Sequence, residues 1–386
     1  MAADGDPMEP DWRLPVAPPL PPMLATPGGD AVPQDPTLAF EPKWDGFRAL
    51  VFRSGDRVVL QGRGGDDLAY AFPEVVRAVA RELPAHVALD GEIVIIRDGA
   101  LDFSALGTRL RPRSESASIL RLADTSPATL VVFDILALDD RLLIDASYLE
   151  RRRVLESLAL RGSDIRLTPM TRDHAQAARW FVDVEGAGLD GLIAKDVGAA
   201  YQPGKRAMTK IKHRRTLDAV VAGWRPHAKD PDEVGSLLLG LHDDRGRLHH
   251  VGAVSGLSAS RRRELTEDLR PLRIAEDGDH PWRPRDDDIA DDVRRPGGIN
   301  RWSRGRDKPW HALRPERVAE VAYDQFEGAR RVGDAAPVGI PRLRHLAAWV
   351  RWRPDRSPES CTYAQVPEVR PMDIAEVLAL GDPLPR

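Results

Sequence analysis

Glu41-Pro42-Lys43-Trp44-Asp45-Gly46-Phe47-Arg48 decides how the rest of this chain is read, because it sets one lysine in a context suited to attack on a nucleotide phosphate. The four fixed residues of K-x-D-G-x-R would arise by chance in a chain of 386 residues only roughly a few times per thousand. Lysine is protonated at neutral pH, so a nucleophilic one must be held where positive charge is disfavoured, by neighbouring cations or by burial. The neighbours therefore matter more than the motif. Taken alone, the octapeptide leaves two readings open, an active nucleophile or a salt-bridged lysine at a strand end.

Outward from the motif, the chain reads as two domains of an α+β protein. Residues 1–22 are rich in proline and acids, with Pro18, Pro19, Pro21 and Pro22 close together, and are expected to form a disordered lead-in. From residue 23 to 215 short apolar runs alternate with helical patterns: Val87–Ile96 and Leu130–Leu138 read as buried strands, Tyr148–Leu160 and His174–Val184 as helices. From residue 216 to 356 the pattern changes to spaced strands, Ala219–Trp224, Ser236–His242, His249–Val254, Val318–Tyr323 and His345–Arg353, with one helix over Ser260–Leu269. Five strands and a helix fit a small OB-fold β-barrel. Residues 357–386 read as a C-terminal extension.

Composition narrows the partners. The net charge of −4 is not that of a basic nucleic-acid coat, so any contact with DNA has to come from a local patch. One such patch is the stretch 294–308, where Arg294, Arg295, Arg301, Arg304, Arg306 and Lys308 interleave with Trp302. It reads equally as a phosphate-gripping segment or as a solvated loop neutralised by the acids of 286–292. Cys361 is the only cysteine, which excludes an internal disulfide and a multi-cysteine zinc site. No apolar run approaches the roughly 20 residues that span a membrane, and no secretion signal opens the chain, so a cytoplasmic protein is expected.

Further along, Leu89-Asp90-Gly91-Glu92-Ile93-Val94 places Glu92 on a strand after a tight turn, where its carboxylate can reach a sugar or a metal. Phe133, in an apolar strand, offers a flat ring for a base, though such a ring taken alone is more often core. Gly188-Leu189-Asp190-Gly191-Leu192-Ile193-Ala194-Lys195 repeats the design of an acid at the start of a strand. Lys210 and Lys212 alternate onto one strand face, where an anion such as a triphosphate would relieve their repulsion.

Taken in order, the lysine motif, Arg63, DGE, the aromatic strand, DG-strand-K and K-x-K resemble the nucleotidyltransferase superfamily of DNA ligases, RNA ligases and mRNA capping enzymes. Trp352-Arg353-Pro354-Asp355-Arg356 is similar to its final motif, R-x-D-K, carried on the OB domain. Phe72-Pro73-Glu74, Phe103-Ser104-Ala105-Leu106, Glu150-Arg151-Arg152 and Tyr201 to Arg206 resemble bacterial ATP-dependent DNA ligases. Arg301-Trp302-Ser303, Leu313-Arg314-Pro315-Glu316 and Ser360 to Gln365 are similar to the two-domain ligase C type.

The resemblance implies an adenylation domain followed by an OB-fold, with Lys43 as the adenylated nucleophile and Glu41 beside the adenine. It implies Arg48 and Arg63 on ribose or phosphate, Glu92 on ribose or metal, and Phe133 stacked on the base. Asp190 would be the second metal-associated acid, and Arg206, Lys210 and Lys212 would bind phosphate. Arg353, Asp355 and Arg356 would act on the pyrophosphate leaving group. The implied cofactors are ATP with Mg2+ or Mn2+ and no zinc, and the implied substrate is nicked duplex DNA, handled by a monomer in DNA repair, with repair proteins as partners and the nucleoid as the place of action. Asp190 stands where many relatives carry glutamate, Met208 where tryptophan is frequent, and Arg356 where the last lysine of R-x-D-K would be. The alternatives are an RNA ligase or capping-type guanylyltransferase, and an inactive OB-fold nucleic-acid-binding scaffold.

Overall fold

A computed structural model describes residues 12–160, 162–275, 278–283, 293–297, 309–327 and 340–381. The chain folds into two compact units, one formed by the chain up to Lys212 together with the residues from Pro371 onward, the other by His213–Arg370.

The first unit carries, in chain order, β1 (Leu24–Pro27), β2 (Leu38–Pro42), β3 (Phe47–Ser54), β4 (Arg57–Gly62), α1 (Pro73–Glu82), β5 (His86–Arg97), β6 (Ala100–Leu101), α2 (Phe103–Gly107), α3 (Ser116–Thr125), β7 (Ala128–Leu138), β8 (Arg141–Leu142), α4 (Tyr148–Ser157), β9 (Ile165–Leu167), α5 (His174–Asp183), β10 (Leu192–Asp196) and β11 (Arg206–Ile211). The main sheet runs β4-β3-β5-β7-β8, with β6 on β5 and β9 parallel to β7. A second sheet runs β1-β11-β10-β2. Strand alternation sorts the residues of β3 and β5 between two cores. Ala49, Val51, Leu89 and Ile93 pack with Val75 and Val79 of α1, while Leu50, Phe52 and Ala88 pack with Tyr201 and with Met208 of the second sheet. A sheet covered on both faces has to be apolar on both, which is why β5 and β7 read as continuous apolar runs. The helices start where their sequences allow it. Ser147 and Glu150 form a reciprocal capping box on α4, and Asp173 accepts from the Gln176 N–H at the start of α5.

The expected lead-in is structured from Trp12 onward, whereas residues 1–11 lie outside the described residues. Leu14 and Val16 are buried against Leu50 and Phe52, the Arg13 N–H donates to Ser54 Oγ, and Leu20 exchanges two hydrogen bonds with the Gln61 amide. Apolar residues spaced between the prolines supply the burial, and prolines reduce the entropy that an extended segment loses on docking.

The second unit carries β12 (Arg215–His227), β13 (Asp230–His242), β14 (Leu248–Val254), α6 (Ala259–Leu269), β15 (His311–Tyr323), β16 (Phe326–Glu327), β17 (Arg342–Leu343) and β18 (Ala348–Trp352). Its antiparallel sheet runs β14-β13-β12-β15-β18. Every strand and the helix expected from sequence is present, but the sheet does not close into the expected barrel among the described residues. Only a single bridge, Val254 with Ala347, brings the end of β14 to the residue before β18. The expected extension also divides. Cys361 is buried in the core of the second unit, whereas α7 (Ile374–Leu378) packs Ile374 and Val377 against Trp180 and Phe181 of the first, and the Ile374 N–H donates to the Gly99 carbonyl. The reason is apolar spacing in a short amphipathic helix, too brief to stand out from sequence.

Candidate active site

Lys43 sits in the connection between β2 and β3, and that connection is clasped to the loop before β10. The Lys43 N–H donates to the Gly191 carbonyl at 2.8 Å, and the Asp190 N–H donates to the Lys43 carbonyl at 3.3 Å. The glycines of Asp45-Gly46 and Asp190-Gly191 each pack against backbone that leaves no room for a Cβ. A Cβ at Gly46 would stand 2.2 Å from the Ile93 carbonyl oxygen, and one at Gly191, whose φ is +121°, would stand 2.2 Å from that of Ile211. Trp44 is buried and its indole N–H donates to Thr168 Oγ1, which anchors the residue next to the lysine.

Register places the acids and bases. Arg48 on β3 lies opposite Glu92 on β5, and Leu50 lies opposite Asp90, so Arg48, Asp90 and Glu92 share one face of the sheet. Arg48 Nε and Nη2 reach Asp90 Oδ1 and Oδ2 at 2.5 and 2.6 Å, the bidentate geometry that suits guanidinium to carboxylate. Tyr201 donates to the same Asp90 at 2.6 Å and accepts from the Met23 N–H. Burial works against the Arg48 charge, and Asp90 more than offsets it, so the guanidinium is held charged more firmly than a free one. Its carbon lies 4.6 Å from the centre of the Phe133 ring.

Glu92 differs from Asp90. It accepts the Gly46 N–H at 3.1 Å and makes no ion pair among the described residues. Burial pushes it up to about 7, against the pull of Arg48 and Lys43.

The opposite wall comes from the second sheet, where Ile193 lies between Glu41 on β2 and Lys210 on β11. Glu41 is buried and accepts from Tyr148 at 2.5 Å and from Lys195 at 2.8 Å. Lys195 also donates to the Phe133 carbonyl, and its ammonium lies 5.0 Å from the centre of that ring. Lys195 and Tyr148 were not expected in the site. Lys195 stands at the end of the DG-strand-K signal, whereas Tyr148, at the start of α4, carries no signal that sequence alone could supply.

These side chains line a cavity of about 280 Å³ that brings together Glu41, Lys43, Arg48, Arg63, Glu92, Phe133, Lys195, Arg206, Lys210 and Lys212. Lys43 Nζ and Lys212 Nζ both reach Asp190 Oδ2, at 2.8 and 2.9 Å. The pair expected to share an anion was Lys210 and Lys212, but the carboxylate of Asp190 stands between Lys43 and Lys212 instead. Lys210 lies on β11 and Lys212 just past its end. Burial, then Lys212, Lys43, Arg206 and Arg63, holds the Lys210 ammonium below the usual lysine range, so this end of the cavity carries more positive charge than it neutralises.

Arg353, Asp355 and Arg356 form a separate cluster within the second unit. Arg353 Nη1 reaches both oxygens of Asp218 at 2.9 and 3.0 Å, its Nη2 reaches Asp355 at 2.7 Å, and Arg356 Nε lies 3.3 Å from Asp218. The hydrogen bonds from Arg353 hold Asp355 down to about 2. Of the expected basic segment, residues 298–308 lie outside the described residues.

Among the acids at the cavity, Glu92 suits a divalent cation better than Asp190 does. A cation beside Glu92 would repay the charge that burial makes costly, whereas one on Asp190 would have to displace an ammonium already bonded there.

The family model for the ATP dependent DNA ligase domain matches residues 22–212, and that for the ATP dependent DNA ligase C terminal region matches residues 230–356. The chain is 43% identical over 371 residues to DNA ligase C of Mycobacterium tuberculosis, covering 95% of this chain and 99% of that protein. It is 45% identical over 356 residues to DNA ligase C2 of Mycolicibacterium smegmatis, covering 92% and 96%. It is also 35% identical over 345 residues to the multifunctional non-homologous end joining DNA repair protein LigD of Mycobacterium tuberculosis, covering 88% of this chain and 39% of that one. Two matched domains in the right order, a lysine lining a basic cavity and this identity along nearly the whole chain converge, and the chain belongs to the ATP-dependent DNA ligases.

Proposed function

We propose that this chain seals nicks between a 5′-phosphate and a 3′-hydroxyl in duplex DNA through an AMP carried on Lys43. The observation that carries this reading is the position of the Lys43 ammonium, in one cavity with Arg63, Arg206, Lys210 and Lys212 and with the Phe133 ring and the buried Glu41. The adenine packs on Phe133, with Glu41 held in place by Tyr148 and Lys195. Arg48, fixed by Asp90, and Arg63 reach the ribose and phosphates, and Arg206, Lys210 and Lys212 take the triphosphate.

For the first step Lys43 must lose a proton, and Asp190 Oδ2 is the acceptor within hydrogen-bond reach. The free amine attacks the α-phosphorus, a P–N bond forms, the bond to the β-phosphate oxygen breaks, and pyrophosphate leaves. Lys210 and Lys212 face the charge that builds on the α-phosphate. In the second step the 5′-phosphate oxygen of the nick attacks the same phosphorus and the P–N bond breaks. In the third the 3′-hydroxyl attacks the 5′-phosphate and AMP leaves. The family implies a divalent ion, Mg2+ or Mn2+, which Glu92 would hold and which would neutralise phosphate oxygens that protein cations do not reach. Arg353, Asp355 and Arg356 serve the pyrophosphate leaving group once Arg353 exchanges Asp218 for phosphate. A role in repair is supported by the relative named as an end-joining repair protein.

The test is incubation with α-labelled ATP and, separately, α-labelled GTP, followed by a denaturing gel and a chase with nicked duplex. Label from ATP should stay on the protein, vanish in Lys43→Ala and pass into sealed DNA. Label from GTP alone would move the chain to capping chemistry, and no label from either nucleotide would end the reading.

A further inference from the structure

β1 is an edge strand of the second sheet, and the segment leading into it is tied down on both sides. Upstream, the Leu20 N–H donates to the Gln61 side-chain oxygen at 2.9 Å, and the Leu20 carbonyl accepts from the Gln61 amide at 2.7 Å. Downstream, the Leu24 N–H donates to the Lys205 carbonyl and the Gly28 N–H to that of Lys210, both at 2.8 Å. Those bonds turn Leu24 toward β11, so by alternation Met23 and Ala25 present their backbone to the outer edge. Backbone groups on such an edge need partners from elsewhere. Here they are arginines of the nucleotide cavity. The Met23 carbonyl accepts from Arg48 Nη2 at 3.2 Å, and the Ala25 carbonyl accepts from Arg206 Nη1 at 3.0 Å. Arg48 stands on β3 of the main sheet and Arg206 on β11 of the second, so one stretch of backbone holds a cation from each wall.

Tyr201 completes the Arg48 end. Its hydroxyl accepts from the Met23 N–H at 2.9 Å and donates at 2.6 Å to Asp90 Oδ2, the same oxygen that takes Arg48 Nη2. Burial, then Asp90, pushes the Tyr201 phenol well above its usual range, so it stays a donor. Met23, Tyr201, Asp90 and Arg48 therefore form a closed ring of hydrogen bonds, in which displacing Met23 displaces the guanidinium. Pro19, Pro21 and Pro22 surround Leu20 and restrict the backbone there, so that a hold at Gln61 is transmitted to Met23. Pro22, Leu24 and Ala25 line the cavity, whereas Gln61 and Tyr201 stand behind it.

We infer that Gln61 and Tyr201 are positioning residues for the nucleotide, acting through residues 20–25, which set where Arg48 and Arg206 stand at the two walls of the cavity. The inference rests on the ligase reading, since it takes those arginines as ligands of ATP. The gain is preorganisation: an arginine already held by the strap loses less side-chain freedom when the nucleotide arrives. Loosening the strap weakens the binding of ATP and leaves the chemistry nearly as it was, because Lys43 is fixed independently by the Gly191 carbonyl and Asp190.

The experiment uses the full chain, Gln61→Met, Tyr201→Phe and, as a control, Val75→Ala, which removes packing from the face of the main sheet that carries α1. Single-turnover labelling of Lys43 is followed across a range of ATP concentrations, and melting temperature is measured on the same samples. Gln61→Met and Tyr201→Phe should raise the half-saturating ATP concentration about three- to tenfold, with the maximal rate within about twofold of the parent. Val75→Ala should lower the melting temperature without moving half-saturation. Unchanged half-saturation in Gln61→Met and Tyr201→Phe, whatever their melting temperatures, would overturn the inference, and so would an equal rise in Val75→Ala. A parent chain that takes no label from ATP would end the ligase reading instead.

Discussion

The charged groups of the final motif and those of the cavity around Lys43 are arranged in different ways. In the second unit Arg353 faces Asp218 and Asp355 at once, and Arg356 adds to the same Asp218, so each cation of the final motif already has an acid. In the first unit Arg48 is locked to Asp90, but Lys210 is crowded by cations and Glu92 has no ion-pair partner among the described residues. Charge that is fully met inside the protein can stabilise or orient. Charge left unmet around a cavity can be completed by a ligand of opposite charge, and that difference supports the proposal that the first unit holds the nucleotide.

The largest expected effect comes from turning the locked pair of the first unit into an unmet one. Asp90→Asn leaves the Arg48 guanidinium partly buried without its carboxylate and costs Tyr201 its charged acceptor, so unfolding in urea should show a loss of about 3–5 kcal/mol. A loss under about 1 kcal/mol would mean that Arg48 finds water easily and that the pair is not a fixed part of the cavity wall.

Next in size is the unmet acid. Because the folded-state pKa of Glu92 is raised from 4.5 to about 7, the folded protein holds a proton that the unfolded chain releases. Stability from this group is complete below pH 4.5 and falls as pH rises toward 7. Glu92→Gln should therefore melt like the parent at pH 4.5 and higher than the parent at pH 8, by up to about 3 kcal/mol. Saturating Mg2+ or Mn2+ should narrow the gap by stabilising the parent alone. Equal melting at both pH values would show that the Glu92 carboxylate is solvated.

The smallest effect belongs to the second unit. Asp355→Asn removes an exposed partner of Arg353, while Asp218 remains, so the melting temperature should barely move. Labelling of Lys43 by ATP should change more than stability does. A variant that loses stability but labels normally would reverse that assignment and make Asp355 structural.

Much of the fold was legible because strand and helix periodicity is local. The apolar run expected over Val87–Ile96 is β5 to within a residue at each end, and the helix expected over His174–Val184 is α5. Elements too short or too proline-rich for a periodic signal were not legible. Residues 12–22 were expected to be disordered and instead cover one face of β3, and α7 returns to the first unit from a segment read as a tail. In the cavity, the residues that chemistry names by type were found from spacing, among them Lys43, Glu92, Lys210 and Lys212. Lys195 stood in the DG-strand-K motif, but its contact with Glu41, like that of Tyr148, depends on which strand and helix lie against β2 and was not legible.

By itself the sequence determined the order of the motifs, the residue types at each, and the alternation along each strand. Only the tertiary structure decided which charges meet. Lys43 and Asp190 are 147 residues apart, and nothing local says that an acid rather than a phosphate first stands between Lys43 and Lys212. The same holds for Asp90, which takes Arg48 while Glu92, two residues on, makes no ion pair among the described residues. The physical reason is that alternation sets the face of a side chain, whereas Coulomb and hydrogen-bond energies depend on distances of a few ångströms that strand pairing and burial alone establish.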